Sequence, residues 1–411
     1  MAGDSSYNRV NTDNVNCFNV SNSYNTVNTM REDENRLILE WLSPLEPQQR
    51  HHSIRTDRLD SVGSWLLETS DFRKWSNREV GGTQSVLFCY GNPGVGKTYL
   101  TSLVIDNLCD QRAGNDIVVA GLYCDFQVHE EQTVTNMIGA VLKQLVNRND
   151  IPDYAGLPPA WPVGNTGRLR LAELAEMLKR TIALIPEVFI CIDALDESSP
   201  KNRLELLRSL GDIVRDLPTV RVFLTGRPHV QDEIDKHFAG AVKLPISPTT
   251  EDIKAYLKMR LDGDTEVDAM DDELRADIME KIPERISEVF LLVSLNIETI
   301  LGEITIYHRR KMLEEMTRGN GLGDAYTATM ARMKGQNVTK SKIGMEVLMW
   351  VSHSKRPLQA AELCQALGVE IGSTDLNPQR IPSIKTLLGC CLGLVAVEGS
   401  PSIVRLVHFS L

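Results

Sequence analysis

Eight consecutive residues constrain this chain more than any others: Gly91-Asn92-Pro93-Gly94-Val95-Gly96-Lys97-Thr98. They match G-x-x-x-x-G-K-[ST]. An apolar run of strand length, Val86–Tyr90, precedes them, and a helix-like stretch, Thr98–Leu108, follows. Strand, glycine loop and helix is the layout that wraps backbone N–H groups around a polyphosphate at a helix N-terminus. The glycines let the backbone come close. In this layout Lys97 reaches the β/γ-phosphates and the Thr98 hydroxyl holds Mg²⁺. The candidate nucleotide-binding stretch is therefore Gly91, Asn92, Pro93, Gly94, Val95, Gly96, Lys97, Thr98 and Tyr99. The plain alternative is a structural glycine turn.

The pattern around this loop predicts an α/β fold with a doubly wound parallel sheet. Further strand-length runs are Ile117–Tyr123, Val188–Ile192, Val220–Thr225 and Ala241–Ile246. Helix-like stretches alternate with them: Val134–Val146, Leu171–Ile185, Arg203–Val214 and Val230–Phe238. Buried strands separated by helices are the mark of parallel sheets covered on both faces. Residues 147–167 hold four Pro and three Gly and read as a long surface loop.

Two further strands end in residues that carry chemistry. The run Val188 to Ile192 delivers Asp193 to the C-terminal edge of the sheet, where ligands bind in such folds. Asp193 suits a Mg²⁺ role, through Thr98 or a water. Asp196 and Glu197 follow, and either one could orient or deprotonate an attacking water; a solvated turn is the alternative for both. Ser199 and Pro200 read as an N-cap and first helical residue. The third strand runs into Thr225-Gly226-Arg227-Pro228. Placed between the loop strand and the Asp193 strand, it would aim Arg227 at the γ-phosphate; pairing with a carboxylate is the alternative.

The flanks differ in character. Residues 1–30 contain eight Asn, spaced by three apart from one step of two, with few charges. They read either as a disordered polar tail or as a self-templating, amyloid-like motif built on Asn ladders. Residues 31–83 read as a helical lead-in, residues 84–248 as the α/β unit and residues 249–335 as helical. Residues 336–411 begin with helices and close with two strand-like runs, Leu394–Val397 and Ile403–Val407, which suggests a winged helix.

Charge and targeting signals narrow the class. With 44 basic and 55 acidic residues the net charge is −11, which argues against a nucleic-acid partner. No apolar run approaches the ~18 residues of a membrane span. The polar start, Met1 to Val10, is unlike a secretory signal, and Ala2 and the final Leu411 offer no lipidation site. Cys89 and Cys191 sit inside apolar runs, as buried thiols do in a reducing compartment. The expectation is a cytoplasmic protein. Asp262, Asp264, Glu266, Asp268 and Glu273 imitate an EF-hand, but Val267 stands where Gly is needed, so a solvated acidic loop is expected. His51 and His52 have no further ligands at metal spacing and default to surface histidines.

Taken together, Gly91–Thr98, Asp193-Ala194-Leu195-Asp196-Glu197 and Thr225-Gly226-Arg227-Pro228 resemble the NACHT-type NTPases of the STAND class. Within it, the chain is similar to fungal NLR-like proteins with a nephrocystin 3-like N-terminal P-loop domain. Val62 to Leu67 resembles that family's lead-in, where Val62-Gly63 replaces the usual Thr-Gly. Val347 to Val351, Arg356-Pro357-Leu358 and Arg405 to Phe409 resemble its winged helix. The resemblance spans residues 35–411 and implies an ATP/ADP switch with slow hydrolysis. The winged helix folds back over ADP, and exchange for ATP permits homo-oligomerisation and effector signalling in non-self recognition or regulated cell death. It implies that His408 contacts the β-phosphate. It also implies that residues 1–30 pass an amyloid-like fold to a downstream protein carrying a matching motif. Many relatives continue into sensor repeats, whereas this sequence stops inside the winged-helix motif. The competing readings are a freely turning-over P-loop ATPase or kinase, and a scaffold with a merely structural loop.

Overall fold

A computed structural model describes residues 36–77, 85–110, 117–128, 130–148, 169–285, 289–316, 322–370, 372, 375–398 and 402–406. The expected Asn-rich segment, His408 and nearly all of the 147–167 loop lie outside these residues.

The lead-in is helical but broken. Helix α1 covers residues 36–42, and α2 covers Pro47–Asp57. Val62, Trp65, Leu66, Phe72 and Trp75 recur at helical spacing, and within that stretch Gly63 turns at φ +87° and Thr69 caps a new helix. The result is α3 (Trp65–Glu68) and α4 (Ser70–Ser76). The Thr69 hydroxyl accepts from the Phe72 N–H, which is why the chain restarts there.

Then follow β1 (Val86–Tyr90), α5 (Lys97–Asp110), β2 (Ile117–Tyr123), α6 (Val134–Arg148), α7 (Leu171–Ala183) and β3 (Glu187–Asp193). The α/β part ends with α8 (Pro200–Asp216), β4 (Val220–Gly226), α9 (Gln231–His237) and β5 (Val242–Pro245). Ser199 caps α8 by accepting from Asn202, with Pro200 in the first turn as expected. The five strands form one parallel sheet in the order β2-β3-β4-β1-β5. The Arg227 strand thus lies between the loop strand and the Asp193 strand, where the sequence reading put it.

Alternation along the strands divides the core. Val86 and Phe88, Val188, Ile190 and Ile192, and Val222 and Leu224 face α6, α7 and α8. Leu87 and Cys89, Phe189 and Cys191, and Phe223 face α5 and the lead-in helices. Period two on a twice-covered sheet requires both sets to be apolar. Trp75 of α4 is fully buried on the second face, with ring centroids 5.5 Å from Phe189 and 5.8 Å from Phe223.

Beyond β5 come α10 (Thr250–Asp262), α11 (Asp272–Arg285), α12 (Phe290–Leu301), α13 (Ile306–Met316) and α14 (Leu322–Gly335). Helices α10 to α13 share one core, including Ile253, Leu257, Ile278, Ile297 and Leu313. The C-terminal part is α15 (Val338–His353), β6 (Leu358–Gln359), α16 (Ala360–Gly368), α17 (Ile384–Cys391), β7 (Val395–Glu398) and β8 (Ile403–Leu406). Its strands make an antiparallel sheet, β6-β8-β7. The helical run expected from Leu358 therefore opens with a short strand, because Leu358 and Gln359 pair with Val404 and Ile403. Leu295, Met333 and Leu394 form a small bridging core between the two helical regions.

The acidic loop is not simply solvated. Asp264 receives the guanidinium of fully buried Arg309 at 2.6 Å, and Asp262 pairs with Arg275. A buried arginine needs a carboxylate partner, and Asp264 serves as one. No helix among the described residues is long and apolar enough to cross a membrane.

Candidate nucleotide site

The P-loop joins β1 to α5. Gly94 and Gly96 adopt φ of +77° and +94°, a region open to glycine and costly for other residues. A side chain on Gly94 would also collide with Leu291 and Val289, since α12 begins against the loop. The Leu291 N–H donates to the Gly94 carbonyl at 3.0 Å. The Lys97 ammonium donates to the carbonyls of Gly91 and Asn92 at 3.0 and 2.9 Å, which curls it over the loop. Burial lowers its pKa, opposed by the nearby charges of Asp196 and Asp193.

Asp193 is the hub of the site. Its carboxylate accepts from the hydroxyls of Thr98 (2.7 Å), Thr101 (2.9 Å) and Thr225 (2.6 Å). Thr225 in turn accepts from the Ala194 N–H at 2.9 Å. Ala194 is left-handed, at φ +50°, a strained conformation for a residue with a Cβ. That bend carries the chain off β3 into a short 3₁₀ turn, Leu195–Glu197. Thr98 and Asp193 offer oxygen donors alone, the set a hard divalent cation takes, so these residues fit Mg²⁺. Among the described residues no cluster of three or more His, Cys, Asp or Glu could hold a metal without such help.

The two remaining acids have separate environments. Asp196 accepts from the Arg227 backbone N–H at 3.1 Å and pairs with its Nε at 2.9 Å. The expectation that Arg227 faces the γ-phosphate meets this arrangement: its guanidinium is engaged by a nearly buried carboxylate. Glu197 is pushed up to about 8 by burial, then by the charges of Asp193 and Asp196.

These groups line a cavity of about 380 Å³ whose walls come from the lead-in, the α/β part, helices α10 and α12 and the C-terminal sheet. Arg50 and Asp57 come from α2, Asp125 from the segment after β2, and Pro248 from the segment after β5. Tyr256 of α10, Leu291 of α12, and Ala396, Arg405 and Leu406 of the C-terminal sheet complete it. Arg405 forms an ion pair with Asp125 that ties β8 to the sheet edge. Of the predicted residues, Gly94 to Tyr99, Asp193, Asp196 and Glu197 line this cavity. Arg227 joins them through Asp196, while His408 lies outside the described residues.

Arg50, Asp125 and the cavity role of Arg405 escaped the sequence reading. The one available signal for Arg50 was the polar character of α2, a helix without an apolar stripe. His51, expected at the surface, is half-buried: its ring nitrogens lie 2.7 Å from the Tyr123 hydroxyl and 3.1 Å from Asp106. A carboxylate only accepts, so Nε2 carries the proton toward Asp106 and Nδ1 accepts from Tyr123. Burial lowers the His51 pKa despite the bond to Asp106. His52 is exposed.

Sheet, loop and carboxylate define an α/β protein with a P-loop ATPase-like fold. Residues 61–227 match the family model described as nephrocystin 3, N-terminal. Residues 326–411 match the model described as GPI inositol-deacylase, winged helix domain. No curated protein matches the chain. Among solved structures, the ORC1 protein of Aeropyrum pernix in complex with DNA is 18% identical, with a TM-score of 0.38 over 91% of this chain and 93% of that one. The ORC2 protein of Aeropyrum pernix is 13% identical, with a TM-score of 0.40 over 81% and 87%. Cdc6p of Pyrobaculum aerophilum is 14% identical, with a TM-score of 0.36 over 89% and 93%. Likeness this loose does not bear on function.

Proposed function

We propose that this chain is a nucleotide-dependent signalling switch of the NLR-like STAND class, binding ATP or ADP and hydrolysing ATP slowly. The single observation that carries the reading is the shared cavity: P-loop, helical region and C-terminal sheet all contribute walls to it. A ligand there touches each unit, so exchanging one nucleotide for another changes how the units favour each other. The units are the helical lead-in of residues 31–83, the NTPase of 84–248, the helical domain of 249–335 and the winged helix of 336–411. The protein acts in the cytoplasm without nucleic acid. Activation leads to homo-oligomers, with residues 1–30 as effector toward a downstream partner, in non-self recognition or regulated cell death.

The chain's own residues divide the chemistry. P-loop N–H groups and Lys97 bind the phosphates. Thr98 and Asp193 would hold Mg²⁺, which would supply neutralising charge to the phosphate oxygens. Asp196 is committed to Arg227, so Glu197 is the carboxyl left to orient the attacking water. His408 meets the β-phosphate of ADP in the closed form.

The test is to denature freshly purified protein and identify what it releases. Near-stoichiometric ADP is expected, and its absence after Lys97→Ala. An empty site with rapid steady-state turnover would instead establish the ordinary ATPase or kinase.

A further inference from the structure

Helix α2 packs beside the P-loop helix without the usual means. Its eleven residues, PQQRHHSIRTD, bury only Pro47, Ser53 and Ile54. Polar bonds fasten it instead. Asp106 of α5 meets Arg58 at 2.8 Å, His51 at 3.1 Å and Arg55 at 3.5 Å. Arg58 also donates to Ser102, one turn closer to the P-loop. Half-buried ion pairs of this kind add little net stability, because desolvation offsets attraction. What they do is hold a helix in one rotation. Residues 51 and 55, at i and i+4, form the gripping face, and Arg58, the extended residue that caps the helix, adds its grip just beyond the end.

The neighbouring face, again at i, i+4 and i+7, is Arg50, Ile54 and Asp57, and all three line the cavity. Arg50 therefore enters the cavity on a side chain whose helix is fixed by its immediate neighbour, His51. It shares that cavity with Lys97, Thr98, Asp193 and Glu197; burial lowers its pKa, opposed by the charge of Asp193, the carboxylate bonded to Thr98. It therefore stands in the same cavity as Thr98 and Asp193, the residues that would hold the metal at the phosphate end of the P-loop. Arg227, the cation expected there from sequence, is held by Asp196.

We propose that Arg50 contacts the terminal phosphate of a bound nucleoside triphosphate, so that the lead-in helix, through its grip on α5, distinguishes triphosphate from diphosphate. A planar guanidinium matches the fork of phosphate oxygens and is always charged. The inference rests on the nucleotide-switch reading above. It goes further in assigning discrimination to a helix that precedes the stretch matching the nephrocystin 3 family model, residues 61–227.

The experiment measures equilibrium affinities for Mg²⁺-ATP and Mg²⁺-ADP on the full chain, in the wild type, Arg50→Ala, Arg50→Lys and Arg227→Lys. The ratio of the two affinities in one preparation does not depend on the fraction of active protein, so partial misfolding leaves it unaffected. Arg50→Ala is expected to weaken ATP about ten- to a hundredfold, the scale of a lost charged hydrogen bond, while ADP changes by less than about threefold. Arg50→Lys is expected to fall between. Equal weakening of both nucleotides, or no change in either, overturns the proposal. A ratio that shifts in Arg227→Lys and not in Arg50→Ala returns the role to Arg227. A wild-type chain that binds neither nucleotide fails at the switch reading itself and takes this inference with it.

Discussion

Glu197 holds a proton at neutral pH because burial, then Asp193 and Asp196, raise its pKa from 4.5 to about 8. The unfolded chain gives that proton up near its ordinary value. The folded state then binds more protons between these pH values, so its stability is full below about 4.5 and is lost as pH climbs toward 8. Gln is neutral at all pH and has the shape of the protonated acid. Nucleotide-free Glu197→Gln is therefore expected to melt with the wild type below about pH 4.5 and to gain on it steadily as pH rises to 8. Parallel melting curves across that range would remove Glu197 as the source. Asp196→Ala, by contrast, leaves the partly buried Arg227 guanidinium without its carboxylate, an expected loss of about 2 kcal/mol in denaturant unfolding. The double substitution with Arg227→Gln should recover part of it. Sequence showed two adjacent acids after a strand and left their roles open. The reason is geometric: consecutive residues on a 3₁₀ turn point in different directions, and only the fold reveals which one meets Arg227.

At the scale of elements, the P-loop is also a docking point for α12. Gly94→Ala would place a Cβ at 2.8 Å from the Leu291 side chain, at a φ of +77°. We expect a loss of about 2 kcal/mol, and faster hydrogen exchange at the Leu291 amide, which bonds the Gly94 carbonyl. An unaltered Leu291 amide would show that loop and helix are not coupled. The five strands and the helices between them were legible because apolar runs and glycine punctuation carry the α/β pattern locally. Gly91 to Thr98 could be read in one glance for the same reason. The lead-in reads as helical, but the way α2 docks does not, since its sequence carries no periodicity of apolar residues and its fit depends on Asp106, about fifty residues further on. Short β6 was hidden for a related reason: two residues become a strand only when β8 lies beside them.

Over the whole molecule, one ion pair joins residues far apart in sequence, Arg405 and Asp125. Arg405→Ala and Asp125→Asn are each expected to speed ADP release several-fold, with a coupling of about 1–2 kcal/mol in the double-mutant cycle. Additive effects would mean that the pair does not hold the C-terminal sheet on the cavity. The cavity walls also have a temporal order. The loop, Asp193 and Arg227 are all synthesised by residue 227, while the last wall waits for residue 406. At about 5–20 residues per second, the 406 − 227 = 179 residues between them take roughly 9–36 s. During translation the sheet can fold with its phosphate end open to the surrounding nucleotide pool. If the chain is the nucleotide switch proposed above, its first occupant is chosen before the C-terminal wall is in place, and a newborn chain takes its initial state from the nucleotide pool at the moment it was made.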